Sequence, residues 1–307
     1  MKVGRLISMC CTVLLAAVTF GQHTPLTTQY LYNGLLINPA YAGSREALTA
    51  DLSYRHQWVG FEGAPTTQVL SIHSPLNGKK MGLGLTVYND RIGVSRETGV
   101  MSNYAYRMRM GNGKLALGLG VGLKMMQADW TAVRTVTPGD VEFATDSRGV
   151  LLPNFSAGAY YSTSRWFAGL SLPYFISQRH DAKSDRWEMD NNASQYQPMF
   201  TAGFLVDMDR DIKLKPSVLV RKASGEEVQA DLNLNMIWKD RFWLGASYRM
   251  DDAVCFSLQV MPNKQFTVGY SYDMALNAIS GYQHGTHEVM LQYEFGFEVK
   301  AKDPRYF

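Results

Sequence analysis

The sequence predicts an all-β protein, a transmembrane antiparallel β-barrel of about fourteen strands, and three observations lead there. Apolar and polar residues alternate over stretches of about ten residues, the length a tilted strand needs to cross a bilayer. Short, turn-like connections tend to alternate with longer ones, as they do in barrels with an even number of strands. The chain also opens with the signature of an exported protein. A mean hydropathy of −0.17 would suit a water-soluble chain. In a barrel, however, lipid-facing apolar residues are averaged against lumen-facing polar ones, so the low mean does not exclude it.

At the N-terminus, Lys2 and Arg5 form a short basic region, 6–20 is apolar, and Gly21 offers a small residue before Gln22. Residues 1–21 are therefore read as a signal peptide cleaved after Gly21. The apolar run is short for a membrane-spanning helix of about 20 residues. A lipoprotein signal is rejected, because Cys10 follows Met9 and Cys11 would leave too short an apolar core. Cleavage leaves Cys255 alone, unable to form an internal disulfide and without a nearby His or Lys pattern to activate it.

Residues 22–45 have no clear period. Asn38-Pro39 is a turn-forming pair, since proline biases the residue before it away from helix. Ala40, Ala42 and Gly43 are small enough to approach a wall closely, and Gln29, Tyr30, Asn33 and Asn38 can hydrogen-bond to a polar interior. The segment 29–44 is expected to pack into the periplasmic mouth of the barrel, with Gln29, Tyr30, Asn33, Asn38, Pro39, Tyr41 and Gly43 as plug and protein-binding candidates. The alternative is a loose leader ahead of the first strand.

The barrel is assigned to 46–298 and a tail to 299–307. Strands are expected near 47–58, 66–73, 82–90, 97–110, 114–125, 152–163, 165–175, 198–208, 213–224, 227–238, 241–250, 253–262, 265–274 and 286–297. In 265–274, Phe266, Val268, Tyr270 and Tyr272 oppose Thr267, Gly269, Ser271 and Asp273. In 286–297, Val289, Leu291, Tyr293 and Phe295 oppose Glu288, Met290, Gln292 and Glu294. Phe256, Leu258, Tyr270, Leu291 and Tyr293 are expected to face lipid, and a charge at Gln259, on the opposite face, to be far milder than one at Leu258. The turns Gly111-Asn112-Gly113, Thr163-Ser164, Lys239-Asp240 and Pro262-Asn263-Lys264 are expected at the periplasmic end, with both termini. Loops 126–151, 176–197 and 275–285 are expected outside the cell; 225–226 and 251–252 are short where long ones are allowed. Aromatics such as Trp58, Trp166, Trp238 and Trp243 sit near strand ends, where membrane barrels carry girdles, although β-proteins are aromatic-rich in general.

Chemistry is sparse. The sequence holds no Gly-x-Ser-x-Gly, phosphate loop or dinucleotide fingerprint. His284 and His287 lack the Cys, Asp or Glu that would complete a metal site. Gly118, Gly120 and Gly122 clear one face of a strand, which reads as a crowded lumen or tight curvature. Asp51, Asp231, Asp273 and Glu294, with Arg55, Arg107, Arg221 and Arg249, line the interior, where they either brace a plug or line a pore. No Lys/Arg stripe points to nucleic acid. Catalytic, cofactor and metal residues are expected to be absent.

Two long blocks carry a resemblance. One runs from Gln29-Tyr30 through Ile37-Asn38-Pro39-Ala40-Tyr41-Ala42-Gly43-Ser44. The other runs from Tyr54 through Trp58-Val59-Gly60-Phe61-Glu62-Gly63-Ala64-Pro65 to Thr67. Together with Asn89-Asp90-Arg91-Ile92-Gly93, Lys215-Pro216-Ser217, Gly269-Tyr270-Ser271-Tyr272-Asp273 and Thr286-His287-Glu288, they resemble the PorP/SprF family of type IX secretion membrane proteins of Bacteroidetes. Thr286 departs from the family's usual Ser. The resemblance covers nearly all of the mature chain and implies a non-enzymatic outer-membrane barrel acting in type IX secretion and, in gliding species, in gliding motility. It implies as partners secreted proteins with C-terminal sorting domains and periplasmic components of the machine, such as a ring lipoprotein or its associates. Trp58, Gly60, Phe61, Gly63 and Pro65 enter as loop-motif candidates. The rival function is a porin or hydrophobic-solute transporter, which a large steady conductance would favour.

Overall fold

The computed structural model describes residues 27–76, 78–133, 145–147, 149–175, 177–181, 186–190, 196–222, 228–296 and 306. The expected signal peptide lies outside the described residues, as does the C-terminal tail apart from Tyr306.

The strands are β1 (Leu48–His56), β2 (Thr66–Pro75), β3 (Met81–Ile92), β4 (Ser95–Met110), β5 (Gly113–Ala128), β6 (Val150–Ser162), β7 (Trp166–Leu172), β8 (Ser177–Asp181), β9 (Arg186–Asp190), β10 (Met199–Phe204), β11 (Val206–Asp207), β12 (Ile212–Lys222), β13 (Val228–Trp238), β14 (Phe242–Arg249), β15 (Ala253–Val260), β16 (Phe266–Ala275) and β17 (Thr286–Phe295). All but β8 and β9 join one sheet of 15 strands, closed by the β1–β17 and β10–β12 pairings. β10 and β11 are one wall strand interrupted at Leu205, because both pair with β12; the wall therefore has fourteen strands. Closure leaves no open edge, the condition for a sheet to cross lipid.

The side-chain arrangement is inside-out relative to a water-soluble protein. Leu52, Leu119, Leu170, Phe256 and Leu291 are exposed on the outer face, while Asp51, Arg55, Asn235, Ser271 and Glu288 are buried within. Leu258, Tyr270 and Tyr293 also point outward. In water so much exposed apolar area would drive aggregation; in a bilayer it is solvated by lipid tails. Trp166, Phe204, Trp238, Phe242 and Phe295 stand exposed at strand ends toward one rim.

At one end of the barrel lie the connections 57–65, 93–94, 129–149, 173–198, 223–227, 250–252 and 276–285; at the other lie 76–80, 111–112, 163–165, 208–211, 239–241 and 261–265. Short turns face the periplasm in bacterial barrels, so the first set is the extracellular end. Parts of 126–151 and 176–197, and all of 223–227, lie outside the described residues. The β8–β9 hairpin falls within the expected loop 176–197. Its segments, Ser-Gln-Arg-His-Asp and Arg-Trp-Glu-Met-Asp, lack the alternation that marks the wall strands.

A segment coiled inside the lumen, and a braced outer loop

Residues 27–46 lie within the barrel as three short 3₁₀ turns, Thr28–Leu31, Gly34–Leu36 and Pro39–Tyr41. Local chemistry makes the turns. The Asn33 side chain accepts from the Leu35 amide at 3.2 Å, and that of Asn38 from the Ala40 amide at 2.9 Å. Asn38 is extended at φ −145°, ψ 115°, as a residue before proline prefers, and Pro39 opens the third turn. Such side-chain caps replace the backbone ladder that a coiled segment gives up.

The segment runs along the barrel axis and not only across the periplasmic mouth, where the sequence reading expected it. Near the turn end, Arg45 donates to Glu294 at 2.8 Å. Near the loop end, the Thr28 amide donates to Glu288 at 2.9 Å. Glu288 and Glu294 are six residues apart on β17, about 20 Å along a strand. The sequence offers no cue for this depth, because Thr28 and Arg45 stand outside the residues expected to plug a mouth.

At the loop end Thr28 completes a buried charge cluster. Arg55 meets Asp273 at 2.8 Å and Glu288 at 3.4 Å, and Arg249 meets Asp231 at 3.2 Å and Asp273 at 3.7 Å. The Thr28 hydroxyl donates to Asp273 at 2.9 Å. Two guanidinium groups face three buried carboxylates here, with the half-buried Asp252 a further partner of Arg249 at 3.3 Å, so the neutral donors of Thr28 help to satisfy the excess anionic oxygens. Farther down, Asn233 donates to the Tyr30 hydroxyl at 3.0 Å, Tyr32 shares a 2.7 Å bond with Ser257, and Asn33 donates to Ser71 at 2.5 Å. Asn38 donates to the Ala159 carbonyl at 3.0 Å, and the Gly43 amide to His73 at 3.1 Å. Arg107 donates to the Gly43 carbonyl.

Close approach depends on missing side chains. A Cβ at Gly118 would lie 2.2 Å from the Ala40 nitrogen, one at Gly158 2.2 Å from the Asn38 Oδ1, and one at Gly82 2.1 Å from the Ala42 carbonyl. The inward glycines of β3, β5 and β6 thus form a track for the segment. Tyr41 fills the space beside them, edge-on to Tyr160 and His73, each at 5.7 Å. Two cavities beside the segment have volumes of about 40 and 20 Å3. The larger suits water and not a solute. Gln29 is buried with neither amide atom hydrogen-bonded among the described residues. At the turn end, partial burial works to raise the Glu46 carboxyl, but hydrogen bonds from Lys114 and Lys79 outweigh it and hold it below the ordinary carboxylate range.

The second motif forms the outer loop 57–65. Trp58, Gly60 and Gly63 take positive φ values of 49°, 94° and 73°. The Trp58 amide donates to Thr286 Oγ1 at 3.1 Å, Val59 and the 276–285 loop exchange bonds of 2.9 and 2.7 Å, and the Gly93 amide donates to the Gly63 carbonyl at 2.9 Å. Gly60 gives passage to the His284 ring, 2.4 Å from where a Cβ would lie. The loop is therefore braced on both sides. Pro65 is buried at its base and Phe61 stands exposed at its tip. His284 and His287 do not share a site: His284 lies against Val59 and His287 bonds Tyr270 at 2.7 Å. Among the described residues no cluster of three metal-ligand side chains occurs.

This geometry defines a plugged outer-membrane barrel, and comparison places it more narrowly. A family profile described as type IX secretion system membrane protein PorP/SprF matches residues 19–293, and the chain belongs to that family. No curated protein matches it. Among solved structures, the toluene transporter TbuX of Ralstonia pickettii is similar over 87% of this chain and 94% of its own, with 9% identity and a TM-score of 0.54. Omp33 of Acinetobacter baumannii covers 82% of this chain and 100% of its own at 8% identity and a TM-score of 0.48. A Pseudomonas aeruginosa FadL homologue covers 90% and 96% at 11% identity and a TM-score of 0.48. At such identities the likeness shows the fold alone. The protein is an outer-membrane component of the type IX secretion family, and neither family nor fold is that of a known enzyme class.

Proposed function

We propose that this protein works in type IX secretion by binding other proteins and conducts no solute. Its partners are secreted proteins with C-terminal sorting domains and periplasmic components of the machine, such as a ring lipoprotein or its associates. In gliding species the same role extends to motility. The observation that carries this reading is the occupied lumen: residues 27–46 fill it from the turn end to the charge cluster, and the cavities beside them hold little more than water. A porin needs the opposite. The braced 57–65 loop, with Phe61 at its tip, and the turn-end surface around Lys79 and Lys114, which cover Glu46, are the surfaces assigned to partners.

Deletion of 29–44 tests the reading. The barrel is expected to remain heat-modifiable, to lose client secretion and to acquire conductance in planar bilayers. Secretion that survives the deletion would remove the segment from the working surface. A large steady conductance of the intact protein would favour a porin instead.

A further inference from the structure

Resting on the reading of a protein-binding barrel, we propose that the periplasmic rim is an electrostatic dock for the acidic face of a periplasmic protein. Lys80, Arg109, Arg210, Lys239, Arg241 and Lys264 are exposed at the turn end, on five of its six connections or the strand ends beside them. None of the six has an ion pair among the described residues. The acidic groups of the same rim are mostly engaged: Glu46 with Lys79 and Lys114, Asp207 with Arg165 at 3.7 Å, and Asp240 with Lys213 at 2.7 Å. Among the described residues of the rim, Asp209 and Asp211 are left, both on one turn. The uncompensated charge is therefore positive and spread around the ring.

Placement selects a protein over lipid headgroups. Outward positions near this rim carry Trp166, Phe204, Trp238, Phe242 and Phe295. Five of the six cations instead occupy turn tips or, at Arg109, a position that continues the inward register of Arg107 on β4, while Lys239 lies over the Trp238 ring at 5.1 Å and so beside the lipid boundary. The lipid boundary is aromatic, and the charge faces the periplasm around the plugged mouth. A ring of unpaired cations raises the rate of encounter with an anionic surface and penalises a basic one. Contacts of this kind weaken as salt shortens the screening length.

The test places a photo-crosslinking residue at Asn112 or Ser164, two exposed turn tips, in the full-length protein expressed in its own host. Crosslinks are collected from the parent and from the combined Lys80→Glu, Arg109→Glu, Arg241→Glu and Lys264→Glu variant, with the corresponding Gln variant as an intermediate. The expected adduct is a periplasmic protein with an acidic face. Its yield should fall about tenfold on charge reversal, less with Gln, and fall with added salt in osmotically opened cells. Heat-modifiability confirms that each barrel is folded; if the Glu variant does not fold, the Gln variant and the salt series decide. Adducts to phospholipid, to a basic protein, or in undiminished yield after charge reversal overturn the proposal. Should those results appear while deletion of 29–44 still abolishes secretion, the dock falls and the protein-binding role stands.

Discussion

Gly118→Ala tests the placement of the lumen segment with one methyl group. The added carbon would sit 2.2 Å from the Ala40 nitrogen and 2.5 Å from its Cα, both backbone atoms that cannot rotate away. Reaching an ordinary contact of about 3.4 Å requires a shift of roughly 1.2 Å (3.4 − 2.2), beyond what a packed interior absorbs freely. Such a shift strains the Asn38 cap on Ala40 at 2.9 Å and its bond to Ala159 at 3.0 Å. At about 1 kcal/mol for each hydrogen bond, plus overpacking, the cost is about 2–3 kcal/mol. Gly269→Ala is the matched control: another inward glycine beside the segment, but with its nearest neighbours at 3.3–3.4 Å. It should cost at least about 1 kcal/mol less than Gly118→Ala, because a shift of a few tenths of an ångström by side-chain atoms relieves it. Urea titration of the refolded barrel in detergent, followed by gel shift, reads both variants, and planar bilayers report any opening. Equal stability of the two alanine variants, with neither conducting, would refute the placement of Ala40 against β5.

Three further outcomes follow from the wall. Arg55→Ala removes the guanidinium nearest Asp273 and the one paired with Glu288, both buried, leaving Asp273 only the longer contact with Arg249, and should lower stability by about 3–5 kcal/mol in the same titration; a loss below about 1 kcal/mol would mean that the cluster is water-filled. Leu258→Arg, on the lipid face, should cost about 2–4 kcal/mol if it lies near the midplane, while Lys264→Glu at an exposed turn tip should stay within about 0.5 kcal/mol by gel shift. On a Cys255→Ser background, Phe61→Cys should label with a membrane-impermeant maleimide in intact cells and Asn112→Cys only after the outer membrane is opened; the reverse pattern would invert the topology.

The strand positions are legible in the sequence because one physical rule governs them. A wall residue faces either lipid or the lumen, so period two survives in nearly every strand and a slip of one residue would turn every side chain to the wrong side. On β17, Val289, Leu291 and Tyr293 are exposed while Glu288, Met290 and Gln292 are buried, as alternation requires. Gly118 and Gly120 are legible as a crowded face, but not what crowds it, because the Ala40 backbone that fills the space beside Gly118 is remote in sequence and carries no complementary pattern. Gln259 shows the same limit. Alternation places it inward, where a charge is expected to be mild, yet it is buried and lines a cavity with Arg45 and Lys215. A further cation there would meet Arg45 and Lys215 in a confined space, so Gln259→Arg is expected to destabilise the barrel.

The contacts of the lumen segment also set how readily it can leave. Thr28, Tyr30, Tyr32, Asn33 and Asn38 hold the wall mainly through hydrogen bonds, each contributing about 1 kcal/mol net because water can replace the partner. Apolar contacts add to these in three clusters: Leu35, Ala40, Tyr41 and Ala42 with Tyr160 and Phe167, Tyr32 with Ile237 and Trp243, and Tyr30 and Ile37 with Met199 and Leu219. The wall differs: its ladder bonds close a complete ring in a medium that offers no substitute partner. The segment should therefore open locally at a free energy well below that of the barrel. Hydrogen exchange in detergent checks this by comparing the Asn33, Ile37 and Ala42 amides, bonded within the segment, with the paired amides of β4 and β5. Faster exchange in 27–46, with the wall still protected, is the expected result, and deleting the Arg45 side chain should accelerate it further by removing the 2.8 Å bond to Glu294. Exchange of segment and wall at one common rate would mean that they unfold as a single unit, and a partner could not then remove the segment without dismantling the barrel.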